Sequence, residues 1–111
     1  MNSGKFLKII HWTVHSKMKM RQYGLSKTRV LRVLSQPKRV EKGIVPKTIA
    51  VMQPASRKKE FGEIWLMYQD KKSIRTIITA WRYPGKSPVG ETIPIPEDIK
   101  RFLKNYNNYE Y

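Results

Sequence analysis

The pattern of apolar residues changes at Pro37, and that change limits what this chain can fold into more than any other feature. Before it the spacing predicts two helices. Residues 13–23 open with Thr13 as N-cap, carry Val14, Met18 and Leu25 as an apolar stripe, and stop at Gly24, which suits the C′ position. Ser26 then caps a second helix over 27–35, with Val30, Leu31, Val33 and Leu34 as its packing face. Pro37 cannot continue it, because proline lacks the amide proton and clashes with the preceding turn. After Pro37 the segments 38–45, 47–53, 61–69 and 73–83 are rich in Val, Ile, Thr, Trp and Tyr, the residues that fit a pleated surface. Their short links, including Asp70-Lys71-Lys72, predict an antiparallel meander.

Residues 84–96 hold four prolines and read as an extended loop. A last helix starts at Glu97, where Glu97 and Asp98 meet the positive end of its dipole. Ile99, Phe102, Leu103 and Tyr106 fall on one face of it, and Asn107 to Tyr111 read as a fraying tail. The expected fold is α+β: two N-terminal helices packed on a four-stranded antiparallel sheet, with a C-terminal helix. A length of 111 residues and 40% hydrophobic content fit one domain with one core, spanning 1–111. Its centre is 9–83, followed by the proline-rich loop 84–96 and the helix 97–106.

Charge narrows the function classes. The first forty residues hold ten Lys/Arg and no acid; the first carboxylate is Glu41. Net charge is +15, with a sequence pI near 10.3. Such a field points first to nucleic acid, then to an anionic membrane surface, with a merely solvated surface as the plain alternative. No membrane partner is expected, since no segment reaches the ~20 apolar residues of a span. Met1 to Ile10 lacks the apolar run of a signal peptide, so a cytoplasmic protein is expected. The chain has no cysteine, which removes disulfides, thiolate zinc sites and cysteine nucleophiles.

Both histidines, His11 and His15, lie in the acid-free segment. His15 is the leading candidate for chemistry, because imidazole titrates near neutrality and can act as general acid or base. At 100° per residue, His15 and Arg21 fall about 60° either side of Met18, and Lys19 lies about 40° from His15. With Met18 in the core, His15 and Arg21 would emerge at the seam of helix and sheet, where the cations could stabilise phosphorane charge. The ordinary alternative is a partly buried histidine capping a neighbouring carbonyl. His11 and His15 are four apart, but the segment is not H-E-x-x-H and no acid lies close by, so no metal or other cofactor is expected.

The last strand supplies a second group. Unbroken alternation puts Ile74, Ile78 and Ala80 on one face and Arg75, Ile77, Thr79, Trp81 and Tyr83 on the other, near Trp65 of the preceding strand. Rings among cations suit unpaired bases, and the same rings suit cross-strand packing. Arg57, Lys58 and Lys59 form a basic loop that could touch phosphates or simply be solvated. Lys17 and Arg82 complete the expected RNA-binding set, which comprises Lys17, Lys19, Arg57, Lys58, Lys59, Trp65, Arg75, Trp81 and Arg82.

Three segments then resemble a known family. His15 to Ser26 (HSKMKMRQYGLS) is similar to a helix of pattern H-[AS]-x-x-[RK]-M-x-x-R-G-[IL]-[ST] in small bacterial and phage proteins. Val30 to Pro37 (VLRVLSQP) resembles the following V-x-x-[VL]-L-x-x-P, and Ile77 to Arg82 (IITAWR) resembles a closing strand v-[IV]-T-[AV]-[YW]-R. Lys19-Met20 supplies the basic-Met pair; the chain departs from the pattern in having Tyr23 directly before Gly24, which leaves Arg21 three residues from the glycine. The likeness covers about residues 9–83 and is to a domain-of-unknown-function group of the barnase–EndoU–colicin–RelE-like (BECR) superfamily of metal-independent ribonucleases. It implies a compact endoribonuclease, often a toxin, cleaving RNA by attack of a 2′-OH on the adjacent phosphate. It carries the catalytic set onto His15, Arg21 and Thr79, with Tyr83 at the strand end. RNA, ribosome-associated or tRNA, would be the substrate, and an acidic antitoxin a partner. The other readings are a non-catalytic nucleic-acid-binding module and a phage or structural assembly domain.

Overall fold

The computed structural model describes residues 8–56 and 62–106. Its elements are β1 (Ile9–Trp12), α1 (Val14–Tyr23), α2 (Lys27–Ser35), β2 (Arg39–Lys42), β3 (Thr48–Pro54), β4 (Glu63–Lys71), β5 (Ile74–Tyr83) and α3 (Glu97–Tyr106). The fold is α+β, and β2 to β5 form the expected antiparallel meander. The sheet is nevertheless five-stranded and mixed, in the order β1-β5-β4-β3-β2. The extra strand is β1, which runs parallel to β5 in the register Ile9↔Ile74 to Trp12↔Ile77. Four residues are too few to show alternation, and a partner sixty-five residues away leaves no local mark on them.

The helix ends follow local chemistry. Thr13 Oγ1 accepts the Ser16 amide proton at 3.0 Å and Ser26 Oγ accepts that of Arg29 at 3.0 Å. Each satisfies an amide that has no partner within its helix, worth about 1 kcal/mol. Gly24 ends α1 at φ 66°, in the left-handed region, and its amide donates back to the Arg21 carbonyl. The Arg82 guanidinium reaches across from β5 to the Tyr23 carbonyl at 2.7 Å and secures the same helix end.

The three helices do not share one face of the sheet. One face holds Val51, Ile64, Leu66, Tyr68, Ile77 and Ala80, covered by Val30 and Val33 of α2 with Met20 and Leu25. The opposite face holds Ala50, Met52, Trp65, Met67, Ile78 and Trp81, covered by Ile99 and Leu103 of α3. Ile93 and Ile95 of the proline-rich segment are buried there too, and Trp81 Nε1 donates to the Pro94 carbonyl at 2.8 Å. The segment 84–96 is therefore a packed strap. Burying side chains of this size contributes about 1.5–3 kcal/mol each, so both layers are needed to stabilise a domain this small.

Helix α1 packs along β5, and Tyr23 borders both core clusters. Its buried residues are Ser16, Lys19 and Met20, while Val14 and Met18 are exposed. The predicted stripe of Val14 and Met18 is thus wrong: the inward face follows 16, 19, 20 and 23. Ser16 is small enough to lie close to the sheet and returns its hydroxyl proton to the Thr13 carbonyl at 2.8 Å.

A bulge in β5 sets the start of α1. Met67 pairs with Thr79 and Tyr68 with Ile77, so Ile78 is the additional residue. Thr13 occupies the irregularity: its hydroxyl lies 3.0 Å from the Ile77 carbonyl and 3.1 Å from that of Ile78. The bulge also breaks the alternation on which the sequence reading rested. Ile78 and Trp81 face the α3 side, whereas Ile77 and Ala80 face the α2 side.

Candidate functional site

Two residues singled out from sequence, sixty-four positions apart, meet in the fold. His15 Nε2 and Thr79 Oγ1 share a hydrogen bond of 2.9 Å. The bulge turns Thr79 toward α3, and the Thr13 anchor delivers the first turn of α1 beside it. Thr79 is fully buried and His15 partly so. One face of the imidazole is covered by Phe102 of α3, with ring centroids 3.6 Å apart and planes 2° from parallel. Tyr106 lies against Phe102 in turn, at 5.8 Å.

Electrostatics keep this imidazole neutral. Its pKa is lowered from 6.5 to about 4, first by burial, then by the Lys19 ammonium, with Asp98 acting weakly in the other direction. Lys19 is itself nearly buried; it donates to Gln22 Oε1 at 2.9 Å and forms an ion pair with Asp98 of α3. The Lys19 ammonium holds the Asp98 carboxyl below its usual range. His15, Thr79, Lys19, Asp98 and Phe102 therefore form one cluster from three elements. A neutral imidazole with a hydroxyl on one nitrogen can accept a proton at pH 7, and it has a cation beside it to offset charge on a bound anion.

Sequence reasoning missed Phe102 and Asp98 as site residues. In the sequence each reads from its own helix alone, Phe102 as a packing position and Asp98 as a first-turn acid. Nothing local indicates that α3 folds back over α1.

The other predicted residues are spread over the molecule. Arg21 is solvent-exposed near the end of α1, and its side chain makes no hydrogen bond or ion pair among the described residues; Lys17 is exposed on the same helix. Tyr83 shares the α3 side of β5 with Thr79 but lies four residues on, roughly 13 Å along the strand, and packs against the core. The structure does not bring Tyr83 to His15.

Arg75 lies on the opposite side of the sheet from Thr79, because the bulge at Ile78 intervenes. Its guanidinium pairs with Asp70 at 2.7 and 2.8 Å and lies over the Tyr68 ring at 4.3 Å. It cannot hold a phosphate at His15. Trp65 and Trp81 are both 0% exposed and stack on each other with centroids 6.0 Å apart. Covered by α3 and the proline-rich strap, neither presents a face to a base. Arg82 is engaged at the end of α1 as described. Arg57, Lys58 and Lys59 lie outside the described residues, as does the tail from Asn107.

Among the described residues no three His, Asp or Glu side chains converge as metal ligands, and no helix is long and apolar enough to cross a membrane. Comparison with family models, with curated proteins and with solved structures finds no match to this chain.

Proposed function

We propose that this protein is a metal-independent endoribonuclease of the toxin type, with His15 as its general base. The observation that carries the reading is the 2.9 Å contact between His15 and Thr79. The resemblance of three sequence segments to small BECR ribonucleases supports it, as does the net charge of +15. In the reaction, the neutral imidazole takes the proton of a ribose 2′-OH. The 2′-oxygen attacks the adjacent phosphorus and the bond to the 5′-oxygen breaks; that oxygen takes a proton from water and His15 returns its proton to solvent, giving a 2′,3′-cyclic phosphate and a 5′-OH. A pKa of about 4 leaves the ring unprotonated at pH 7, the state a base requires, makes it a weak base, and disfavours His15 as the acid that protonates the leaving oxygen. Thr79 orients the ring, Lys19 is the nearest cation to the developing charge, and Arg21 and Lys17 offer further positive charge along α1. A cytoplasmic setting and an acidic antitoxin that neutralises the basic surface belong to the same proposal.

A second reading has its own observation. Phe102 covers one face of His15 and Asp98 pairs with Lys19, as in a structural histidine within an RNA-binding module that does not cleave. Incubating RNA with the purified protein in EDTA separates the two. Cleavage by wild type, lost in His15→Ala with RNA binding retained, is the outcome of the enzyme reading; tight binding with intact RNA is that of the module.

A further inference from the structure

A second feature lies on a separate set of residues. A cavity of about 990 Å³ opens between α2, the end of β3, the start of β4 and the segment after β5. None of His15, Thr79, Lys19 or Phe102 lines it. Among the described residues five cations do: Arg29, Arg32, Lys38, Arg39 and Lys86.

Glu63, the single acid in the lining among the described residues, is buried and committed to neutral donors. Its Oε1 accepts from Trp65 Nε1 at 2.9 Å and Ser87 Oγ at 2.7 Å, and its Oε2 from the Ser87 amide at 3.0 Å. Arg39 pairs with Glu41 at 3.0 Å. Among the described residues Arg29 is held by neutral acceptors: Gln53 Oε1 at 2.5 Å and the Pro54 carbonyl at 3.0 Å, with the Ala55 carbonyl at 3.4 Å. Arg32 and Lys38 are exposed, and their side chains make no ion pair among the described residues. The Arg29 guanidinium is pushed below its usual pKa, by burial first and then by the positive charges of Arg32 and Arg82. Among the described residues Arg29, Arg32 and Lys38 thus bring like charges to the concavity with no carboxylate ion-paired to any of the three. An anion in the cavity would relieve that repulsion.

We infer that this cavity holds the phosphate backbone of an RNA strand, fixing the substrate by contacts that do not read its sequence. The inference rests on the proposed RNA partner and names where the strand is gripped. The volume lies at the upper end of the ~300–1,000 Å³ typical of small-ligand sites and exceeds what one phosphate fills. The cations come from three places in the chain: α2, the start of β2 and the segment after β5. Among the described residues no aromatic ring lines the cavity, and what they offer is cations for phosphates rather than a platform for bases. Arg32 and Lys38 are the residues best placed to meet phosphates, with Arg29 fixed behind them.

The test is the salt dependence of binding to a single-stranded RNA oligonucleotide, measured in His15→Ala protein so that cleavage does not intervene. Each phosphate neutralised on a single strand contributes about −0.7 to the slope of log K against log salt. Arg32→Ala and Lys38→Ala should each weaken binding several-fold and make the slope shallower by about 0.7. Lys104→Ala removes the same charge from α3 and should leave the slope unchanged. All three side chains are exposed, so folding is not at issue. Equal effects at all three positions, or no change of slope in Arg32→Ala and Lys38→Ala, would overturn the cavity as the binding site while leaving the RNA partner intact. No RNA binding in the parent protein would overturn both.

Discussion

The ring of Phe102 lies parallel to that of His15, 3.6 Å away, so the C-terminal helix is part of the environment that decides how the histidine titrates. Removing that ring rehydrates the imidazole. In Phe102→Ala the His15 pKa should climb from about 4 toward 6.5, because burial is the largest cause of its depression. NMR titration of the imidazole protons in the two proteins reads this directly. An unchanged pKa would show that α3 does not control the site.

Lys19 and Asp98 act on the same imidazole with opposite signs. Lys19→Met takes away a positive neighbour and should raise the His15 pKa; Asp98→Asn takes away a negative one and should lower it. Asp98→Asn also leaves the nearly buried Lys19 charge without its carboxylate and should cost stability in urea. Shifts of the same sign in both variants would show that rearrangement of α3, not direct charge, governs His15.

Stability should vary with pH in a defined window. The folded His15 pKa of about 4 lies below the unfolded value of 6.5, so the unfolded chain takes up the proton first as pH falls. The stabilising contribution of neutral His15 is complete above pH 6.5 and is lost as pH drops from there toward 4. Asp70 and Asp98, held below their usual 3.8 by Arg75 and Lys19, act at lower pH. Urea midpoints from pH 7.5 to 4.5 should fall in wild type and flatten in His15→Gln.

The paired indoles of Trp65 and Trp81 belong to the core, not to a base-stacking surface. Acrylamide should quench only part of the tryptophan emission, that of the partly exposed Trp12, and saturating RNA should leave the protected fraction protected. Trp81→Ala should destabilise the domain by about 3–5 kcal/mol in chemical denaturation. A Trp81→Ala protein that keeps its stability and loses only RNA affinity would return Trp81 to the binding face.

What was legible in the sequence is what local chemistry controls. Thr13, Gly24 and Ser26 mark helix ends because a hydroxyl or a missing Cβ acts within a few residues, and α1, α2 and α3 begin where their caps or first-turn acids place them. The meander followed from short links. Non-local features were not legible. Strand β1 exists through its pairing with β5, and the bulge at Ile78 carries Arg75 to the far face of the sheet from Thr79. Lys19 passes for a solvent residue until Asp98, seventy-nine positions later, folds against it. The candidate site was half visible for the same reason: His15 and Thr79 could be named from sequence, whereas Phe102 and Asp98 depend on where α3 lands.

The central claim, that His15 initiates RNA cleavage, is tested most directly by the termini of the products. RNA incubated with wild-type protein in EDTA should yield fragments ending in 2′,3′-cyclic phosphate and 5′-OH. The DNA oligonucleotide of the same sequence should stay intact, and His15→Ala should leave the RNA whole while still binding it. Cyclic-phosphate ends produced equally by His15→Ala, or RNA bound tightly and never cut by wild type, would contradict the account.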